Sequence, residues 1–496
     1  MNAYAALEAH YGRIGRLDDA LEILFWDMAT MMPKGGAEGR AETLATMKVL
    51  RHELAADPAL AERFEGAAGQ ELDAWQQANL REMKRAYAHA TAVPGDLVEA
   101  LSKAGSACEM TWREARPAND FARLAPKLAE VFRLVREVAN VKAAALGVSP
   151  YEALLDQYEP GGSAARIDAV FDDLASSLPA LIEQVIAHQA KRPAVIRPDG
   201  PFPIDRQRAL GVKVMGTLGF DFDHGRLDVS HHPFCGGTAD DVRITTRYDE
   251  GDFTKALMGV IHETGHALYE RGRPARWRFQ PVGVARGMSV HESQSLLMEM
   301  QACRSREFIG YVTPLLRDTF GGEGAAWSVD NLHRLYTHVR RGLIRVDADE
   351  VTYPAHVVLR YRLERALLAD DLQVQDLPGA WAEGMQTLLG VKPPDDRDGC
   401  MQDIHWMDGT VGYFPTYTLG AMTAAQLFDA ATRADADILP GVGRGDFAPL
   451  LRWLRANVHQ WGSLLSTDEL LTQATGKPLD AAVFRAHLEK RYLGDA

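Results

Sequence analysis

The sequence lacks a long apolar run and has few cysteines for its length. No uninterrupted apolar stretch reaches the roughly 18 residues that a transmembrane helix needs. Four cysteines in 496 residues, with no CxxC pair among them, are too few for a disulfide framework. The composition therefore excludes a small disulfide-stapled domain and predicts reduced thiols in a cytoplasmic protein. The cysteines are Cys108, Cys235, Cys303 and Cys400.

Acidic residues outnumber basic residues in the sequence. The chain carries 54 Lys and Arg residues against 68 Asp and Glu, which gives a net charge of −14. A chain this acidic is a poor partner for nucleic acid or for an anionic membrane surface. The N-terminal residues lack a basic segment followed by an apolar one, so we expect no secretory signal. The hydrophobic fraction of 46% is typical of a globular protein and excludes a disordered chain.

Most of the sequence has the apolar periodicity of α-helices. Apolar residues recur three or four positions apart, for example over 124–135 and 359–368. Residues 192–204 contain four prolines, which break any helix, so this stretch is either a domain linker or a long loop. Residues 226–230 and 242–248 alternate apolar and polar side chains and predict two short strands. The sequence therefore predicts a mainly α protein with a small sheet.

The strongest motif follows the second of these strands. Residues 262–266 read His-Glu-Thr-Gly-His, the H-E-x-x-H pattern. Histidines at positions i and i+4 lie on one face of a helix, one turn apart, so both imidazoles can bind one metal ion. Glu263 lies on the flank of that face, where it can reach a water molecule on the metal without being a ligand. The pattern predicts a metal site on a helix whose N-cap is Asp252.

The third metal ligand must come from outside this helix. The continuation that would supply a third histidine is absent, because Gly272 stands at its position. Glu292 would complete a set of two His and one Glu, the arrangement typical of catalytic zinc. Ser289-x-x-Glu292 is also a capping box, in which the Glu only satisfies a backbone N–H. Spacing alone leaves both interpretations open, and His291 is a rival ligand by residue type.

Six sequence motifs together indicate a family. They are His232-Pro233-Phe234 (HPF), Asp241 to Thr245 (DxRxT), His262 to His266 (HExxH), His291 to Gln294 (HESQ), Ile344 to Asp349 ([IL]RxxAD) and Gly399 to Trp406 (GxxQDxHW). In this order they resemble the carboxypeptidase Taq family of metallopeptidases, family M32. The resemblance covers nearly the whole chain, and six ordered motifs make coincidence implausible.

The resemblance implies a fold and a domain organisation. The family fold is an elongated, mainly helical gluzincin-type structure with a long central groove, a small antiparallel sheet beside the metal site and usually a homodimeric assembly. We therefore expect one catalytic unit over residues 1–496, with an N-terminal helical part of about 1–200 and a metal-site part of about 205–496. The proline-rich stretch is then a loop and not a domain boundary.

The resemblance also implies roles for residues of the metal site. His262, His266 and Glu292 would bind a divalent ion, which we expect to be Zn²⁺ or another ion such as Co²⁺. The ion activates a water molecule, and Glu263 takes its proton as general base and delivers it to the leaving amine.

The developing oxyanion needs a hydrogen-bond donor besides the metal. His405 is the first candidate, because it lies in the GxxQDxHW motif. Tyr413 and Tyr417 follow it as candidates, although large aromatic side chains are mostly packing residues.

A carboxypeptidase must also read the free C-terminal carboxylate, which favours the planar donor pair of an arginine. Arg345 in [IL]RxxAD is the best candidate, and its alternative role is a buried ion pair with Asp347 or Asp349. Arg243 in DxRxT is the second candidate, although pairing with Asp241 explains it equally well.

The sequence thus predicts a metal-dependent carboxypeptidase that removes single C-terminal residues from peptides with broad side-chain preference. His232 and His291 complete the residues that we expect to contact substrate. An oligopeptidase or dipeptidase is the alternative within the same chemistry, and it would release larger pieces. A non-catalytic helical scaffold is the alternative outside it.

Overall fold

The computed structural model describes residues 2–494. Met1, Asp495 and Ala496, which the predicted catalytic unit includes, lie outside the described residues. The described part is mainly α, which confirms the predicted fold class. Within residues 2–494, no helix combines the length and the apolar character that crossing a bilayer requires. The helices are α1 (Ala3–Thr30), α2 (Ala37–Ala55), α3 (Ala59–Ala68), α4 (Ala74–Thr91), α5 (Gly95–Ala118), α6 (Phe121–Leu146), α7 (Pro150–Leu155), α8 (Ala164–Gln189), α9 (Ile204–Leu218), α10 (Phe253–Gly272), α11 (Gly287–Leu296), α12 (Arg306–Phe320), α13 (Val329–Tyr336), α14 (Tyr353–Ala369), α15 (Leu377–Leu389), α16 (Phe414–Ala434), α17 (Ile438–Val442), α18 (Ala448–Asn457), α19 (Thr467–Thr475) and α20 (Ala481–Leu493).

The chain divides into two compact units, each assembled from three segments. The boundary between Ala194 and Val195 falls inside the proline-rich stretch, which joins α8 to α9. The predicted organisation as one catalytic unit, with a helical part followed by a metal-site part, stays a prediction. The first unit contains the residues up to 90, 195–336 and 423–479, and the second contains 91–194, 337–422 and the residues from 480.

The sheet belongs to the first unit and has three short strands. β1 (Gly225–Val229) and β3 (Asp241–Thr246) are the two predicted strands, whereas β2 (Cys235–Thr238) contains two glycines and shows no alternation. The strand order is β1-β3-β2, with β1 parallel and β2 antiparallel to β3. The sheet is therefore mixed, and the antiparallel arrangement that we expected is wrong for β1. The reason is the strand order. β2 does not pair with β1, and after the turn at 239–240 the chain places β3 between β1 and β2.

The sheet packs against the helix that carries the metal motif. Val260 and Ala267 of α10 lie on either side of the motif in sequence, and both contact the apolar face of the sheet. Burial of this apolar surface holds α10 on the strands, since removing it from water is the main favourable term in folding. The buried cluster consists of Met215, Phe220, Leu227, Val242, Ile244, Val260 and Ala267.

In the second unit, α14 carries two fully buried charged side chains. Its Arg360 and Glu364 side chains are both 0% exposed. Charged groups are buried at a high cost in free energy unless they are paired or hydrogen-bonded, so the partners of these two residues determine what the region can do.

Candidate active site

Helix α10 presents both histidines of the metal motif on one face. The carboxylate of Asp252 accepts a hydrogen bond from the backbone N–H of Thr254 at 2.9 Å, which confirms the predicted N-cap. The rings of His262 and His266 have centroids 5.0 Å apart. This separation follows from the one-turn spacing of the two positions along the helix.

Close packing of α11 on α10 brings Glu292 to these histidines. Gly265 permits the approach, because a Cβ at this position would lie 2.5 Å from the carbonyl oxygen of Gln294 and 2.6 Å from Cα of Ser295. Neither distance is compatible with a real side chain, so any larger residue would push the two helices apart. The glycine inside the motif is therefore part of the architecture of the site.

The capping-box interpretation of Glu292 is wrong. Helix α11 begins at Gly287 with Arg286 at the N-cap, three residues earlier than the box requires. Ser289 consequently lies within the helix, and Glu292 is not at the third helical position. The tertiary contact with α10 therefore explains the orientation of Glu292 better than a local backbone contact does.

Three potential ligand atoms converge between α10 and α11. Among residues 2–494, His262, His266 and Glu292 form the one His, Cys, Asp and Glu group suited to a metal ion, with ligand atoms within 4.8 Å of one another. Oε2 of Glu292 lies 3.5 Å from Nε2 of His266 and 4.0 Å from Nε2 of His262. Ligands at about 2.1 Å from a tetrahedral ion are about 3.4 Å apart, so these donors fit a zinc-sized cation after a small adjustment.

The protein also holds the second ring nitrogen of each histidine. Nδ1 of His262 lies 3.0 Å from a carboxylate oxygen of Glu299, and Nδ1 of His266 lies 3.1 Å from the backbone carbonyl of His291. Each contact orients the imidazole so that Nε2 faces Glu292. Such partners are typical of histidines that bind metals, because they fix both the tautomer and the ring orientation.

The electrostatics of this region favour a positive charge. Burial opposes protonation of His262, but the carboxylates of Glu299, Glu292 and Glu263 outweigh it and raise the pKa of His262 to about 10. Burial lowers the pKa of His266 to about 4, which leaves this imidazole neutral, as a metal ligand must be. Burial also opposes ionisation of Glu292, yet His266 and His262 bring its pKa down to about 2. The donor set therefore matches a divalent cation in charge as well as in spacing.

Glu263 has a free carboxylate next to this cluster. Its side chain is 7% exposed, and it makes no hydrogen bond or ion pair with another residue of 2–494. Burial raises the pKa of Glu263 to about 7, His262 opposes that shift, and Glu292 adds to it. A carboxylate with a pKa near neutrality is suited to taking up and returning a proton.

His291 supports His266 and does not join the ligand group. Its ring stacks on that of His266 with centroids 4.6 Å apart, and its Nε2 lies 2.9 Å from Oε1 of Glu270. Glu270 is paired in turn with Arg273 at 2.9 Å. The rival interpretation of His291 as a ligand has no support in this arrangement, and its predicted contact with substrate stays a prediction.

Arg243 and His232 lie near the sheet. Nε of Arg243 donates to Asp241 Oδ1 at 3.0 Å and Nη2 donates to Oδ2 at 2.5 Å, the pairing that the sequence offered as an alternative. The guanidinium also lies over Trp26 of α1, with Cζ 4.2 Å from the ring centroid. His232 is exposed in the segment between β1 and β2, where its carbonyl accepts a hydrogen bond from Ser230.

The second unit contains a buried cluster around Asp403. Nε and Nη2 of Arg345 donate to Oδ1 of Asp403 at 3.0 and 2.9 Å, and Nε of Arg360 donates to Oδ2 at 2.6 Å. The buried ion pair that the sequence offered as the alternative role of Arg345 is present, but with Asp403, whereas the sequence suggested Asp347 or Asp349. The pair forms instead between two family motifs that lie far apart in sequence, which local spacing cannot reveal.

His405 and the two tyrosines are neighbours of this cluster in the second unit. Nε2 of His405 lies 3.3 Å from the hydroxyl of Tyr417, and the rings of Tyr413 and Tyr417 have centroids 5.2 Å apart. Burial and then the charge of Arg345 lower the pKa of His405 to about 4, so its ring is neutral at pH 7. The structure brings these three candidates and Arg345 together within one unit.

Comparison with known proteins identifies the family of this chain. The family model described as carboxypeptidase Taq (M32) metallopeptidase matches residues 6–492. The chain belongs to the M32 family. Thermostable carboxypeptidase 1 of Thermus thermophilus is 41% identical to this M32 chain over 479 residues, which cover 94% of each protein.

Solved M32 structures have the same fold. The metallocarboxypeptidase 1 of Trypanosoma cruzi has a TM-score of 0.97 at 42% identity, with 99% of both chains covered. The M32 carboxypeptidase of Deinococcus radiodurans R1 has a TM-score of 0.92 at 35% identity, with 99% of this chain and 98% of that chain covered. Family membership makes this protein a metal-dependent carboxypeptidase that acts on peptides and uses a divalent metal ion.

Three buried charged residues contact residues of the sequence motifs but lie outside the motifs themselves: Glu299, Arg360 and Glu364. Glu299 lies seven positions after Glu292, which is two helical turns along the same face, so spacing alone points to it once Glu292 is accepted. It stands on a π-helical turn, Leu297–Ala302, a feature found frequently at functional sites. Arg360 and Glu364 carry no sequence signal, because their partners come from other segments of the chain.

Proposed function

We propose that this M32 carboxypeptidase removes single residues from the C-terminus of peptides with broad side-chain preference, and that its metal is Zn²⁺. The ligands in this proposal are His262, His266 and Glu292. The observation that carries it is the convergence of these three side chains, whose ligand atoms lie within 4.8 Å of one another. Two imidazoles and one carboxylate are the donors typical of a catalytic zinc site, which keeps a fourth position for water or substrate.

Glu263 is the general base in the proposed mechanism. When bound, the divalent cation lowers the pKa of a water molecule and polarises the scissile carbonyl. Glu263 accepts the proton of the attacking water and donates it to the leaving amine. Its pKa of about 7 and the absence of a competing hydrogen bond within residues 2–494 support this role.

His405 is the proposed donor to the oxyanion, with Tyr413 and Tyr417 as the next candidates. A neutral imidazole donates from one nitrogen, and the low pKa of His405 keeps the ring in this form at pH 7. Donors aimed at developing negative charge in a buried site contribute about 10²–10³ to kcat in known enzymes.

Arg345 or Arg243 reads the C-terminal carboxylate in this proposal. Each guanidinium gives one edge, Nε with Nη2, to an aspartate, which leaves the end formed by Nη1 and Nη2 as a second donor pair. Arg345 donates one Nη1 hydrogen to Tyr353 at 3.2 Å and still keeps a hydrogen on each terminal nitrogen. His232 and His291 remain predicted contacts of the substrate.

The test is mass spectrometry of one peptide with a free C-terminus and of the same peptide amidated, each incubated with the purified protein with and without Zn²⁺ or Co²⁺. We expect a ladder of single C-terminal losses from the free acid only, since the arginine needs a carboxylate. Internal cuts or dipeptide release would contradict the proposal and indicate an oligopeptidase or dipeptidase. Equal cleavage of the amide would overturn the role of the arginine.

We also propose a homodimer, which light scattering would detect as a mass of twice 54.6 kDa. A mass of 54.6 kDa over the working concentration range would contradict it. The cytoplasmic location stays a prediction, supported by the absence of any disulfide framework in the sequence.

A further inference from the structure

The segment 405–412, which begins with His405, has no regular secondary structure. It lies between the end of the GxxQDxHW motif and the start of α16, and Gly409 and Gly412 adopt positive φ angles of 85° and 90°. Its internal backbone hydrogen bonds are short-range, such as Thr410 N–H to the His405 carbonyl at 2.8 Å. A loop of this kind needs contacts with the surrounding core to hold a side chain in one place.

The side chain of His405 is itself weakly restrained. Within residues 2–494, its one hydrogen bond is the 3.3 Å contact with Tyr417, and its buried Nδ1 has no partner. Its ring packs on Phe414 with centroids 4.5 Å apart. The position of the imidazole therefore depends mainly on where the backbone of the segment is held.

Glu364 of α14 holds both ends of this segment. Trp406 Nε1–H donates to Oε2 of Glu364 at 3.1 Å, and the backbone N–H of Gly412 donates to Oε1 at 3.2 Å. Trp406 follows His405 directly, and Gly412 directly precedes Tyr413. One carboxylate on a buried helix thus anchors the neighbours of two of the three candidate oxyanion donors.

The carboxylate of Glu364 needs both of its oxygens for these contacts. Oε1 also accepts the hydroxyl hydrogen of Tyr151 at 2.6 Å, so three donors converge on two acceptors. The group is 0% exposed and has no ion-pair partner among residues 2–494. An amide in its place would turn one acceptor into a donor and leave either Trp406 or Gly412 unsatisfied in the core.

We propose that Glu364 is a positioning residue for the reaction, which places His405 by anchoring Trp406 and Gly412. This inference rests on the proposed role of His405 at the oxyanion. It gives α14 a role beyond packing. Without this carboxylate, we expect the segment 405–412 to remain folded but to change its position relative to α14. A displacement of about 1 Å in such a group costs about 100-fold in rate in known enzymes.

The test is a kinetic double-mutant cycle on a peptide with a free C-terminus, with Glu364→Gln and His405→Ala as the two changes. We expect Glu364→Gln to lower kcat about 10- to 100-fold with KM within about 3-fold, because the group acts in the transition state only. In the His405→Ala background the same change should lower kcat by less than about 3-fold, since the residue to be positioned is gone. Zn²⁺ affinity, measured by competition with a chelator, should stay unchanged in both variants.

Tyr151→Phe is the matched control. It removes one donor from Glu364 but leaves the contacts with Trp406 and Gly412, so kcat should stay within about 3-fold of the parent protein. If Glu364→Gln does not fold, as judged by circular dichroism, Trp406→Phe replaces it, because it removes one anchor and keeps an aromatic ring in the core.

The outcomes separate the two proposals. A His405→Ala variant with unchanged kcat would overturn the role of His405, and with it the reason for positioning that residue. A His405→Ala variant with reduced kcat, combined with an additive or absent effect of Glu364→Gln, would overturn the positioning role alone.

Discussion

The two units differ in the sign of the charge that they bury. Negative charge is in excess in the metal-site cluster of the first unit, and positive charge is in excess in the cluster around Asp403 in the second unit. At the metal site, three glutamates around His262 raise the pKa of that imidazole to about 10 despite its burial. In the second unit, Arg345 and Arg360 share the single carboxylate of Asp403 and hold its pKa far below its usual range, although burial opposes ionisation. The first cluster therefore attracts a cation, whereas the second attracts an anion.

Two histidines of the second unit are affected by the positive charge of its arginines. His356, fully buried on α14, has its pKa lowered to about 3 by burial and by the charges of Arg360 and Arg345. His405 follows it with a pKa of about 4. The proposed reaction involves charges of both signs, because the metal is a cation, and the C-terminal carboxylate and the oxyanion are negative.

The largest expected effect tests the first cluster. Glu263→Gln should lower kcat about 10⁴-fold, because the variant keeps the three ligands and loses the base. Steady-state kinetics would measure the loss, and a chelator titration would check that Zn²⁺ affinity is unchanged. Near-normal turnover would remove Glu263 from the mechanism.

The second prediction concerns the balance of charge around Asp403. Asp403→Asn should destabilise the protein by about 3–5 kcal/mol, because it leaves two buried guanidinium groups without a carboxylate. Urea denaturation of the metal-free protein would measure this change. Zn²⁺ affinity of the folded variant should remain that of the parent, and a parallel loss of metal affinity would break the distinction between the two regions.

The third prediction is a pH dependence that originates at Glu364. Burial raises the pKa of this carboxyl from 4.5 to about 7, and the hydrogen bonds from Tyr151, Trp406 and the Gly412 backbone oppose this shift only in part. A raised pKa means that the folded state binds the proton more tightly, so this contribution to stability is complete below pH 4.5 and is lost as pH rises to about 7. The loss amounts to about 3 kcal/mol.

Denaturation midpoints of the parent protein and of Glu364→Gln between pH 5 and 8 would isolate this group. The variant should gain stability relative to the parent as pH rises, since it has no proton to lose. A constant difference across this range would contradict the raised pKa of Glu364.

The smallest expected effect distinguishes a ligand from its support. Glu292→Gln should weaken Zn²⁺ binding at least about 100-fold, because the amide lacks the negative charge of the carboxylate. Glu299→Gln is the matched change at a residue that contacts the ligand His262. It should weaken Zn²⁺ binding about 10-fold, because it only loosens the orientation of that imidazole. Competition with a chelator measures both, and equal losses would make Glu299 as important as the proposed ligand.

The two clusters were not equally predictable. The metal motif follows from helical spacing, since residues four apart share one face wherever a helix forms. The capping box at Ser289 illustrates the limit of such local patterns. Ser289 and Glu292 have the spacing of a capping box, but α11 begins at Gly287, so Ser289 is not its N-cap. The partner of Arg345 shows the limit more strongly, because no spacing rule connects residues 345 and 403.

The sheet gives the same lesson at the level of topology. Alternation of apolar and polar residues correctly predicted β1 and β3, but it carries no information about which strands pair or in which direction. The parallel pairing of β1 with β3 depends on where the chain returns after β2, a strand too short and too glycine-rich to be recognised from its residues.

By itself, the sequence determined the mainly helical class, the helix that bears two histidines one turn apart and, through its ordered motifs, the M32 family. These features depend on local periodicity and on residues close together in the chain. Only the tertiary structure decided that Gly265 lets α11 reach α10, that Arg345 pairs with Asp403 and that Glu364 anchors the segment of His405. Those contacts join distant segments, and their geometry is set by how buried helices pack and not by the order of residues within any one of them.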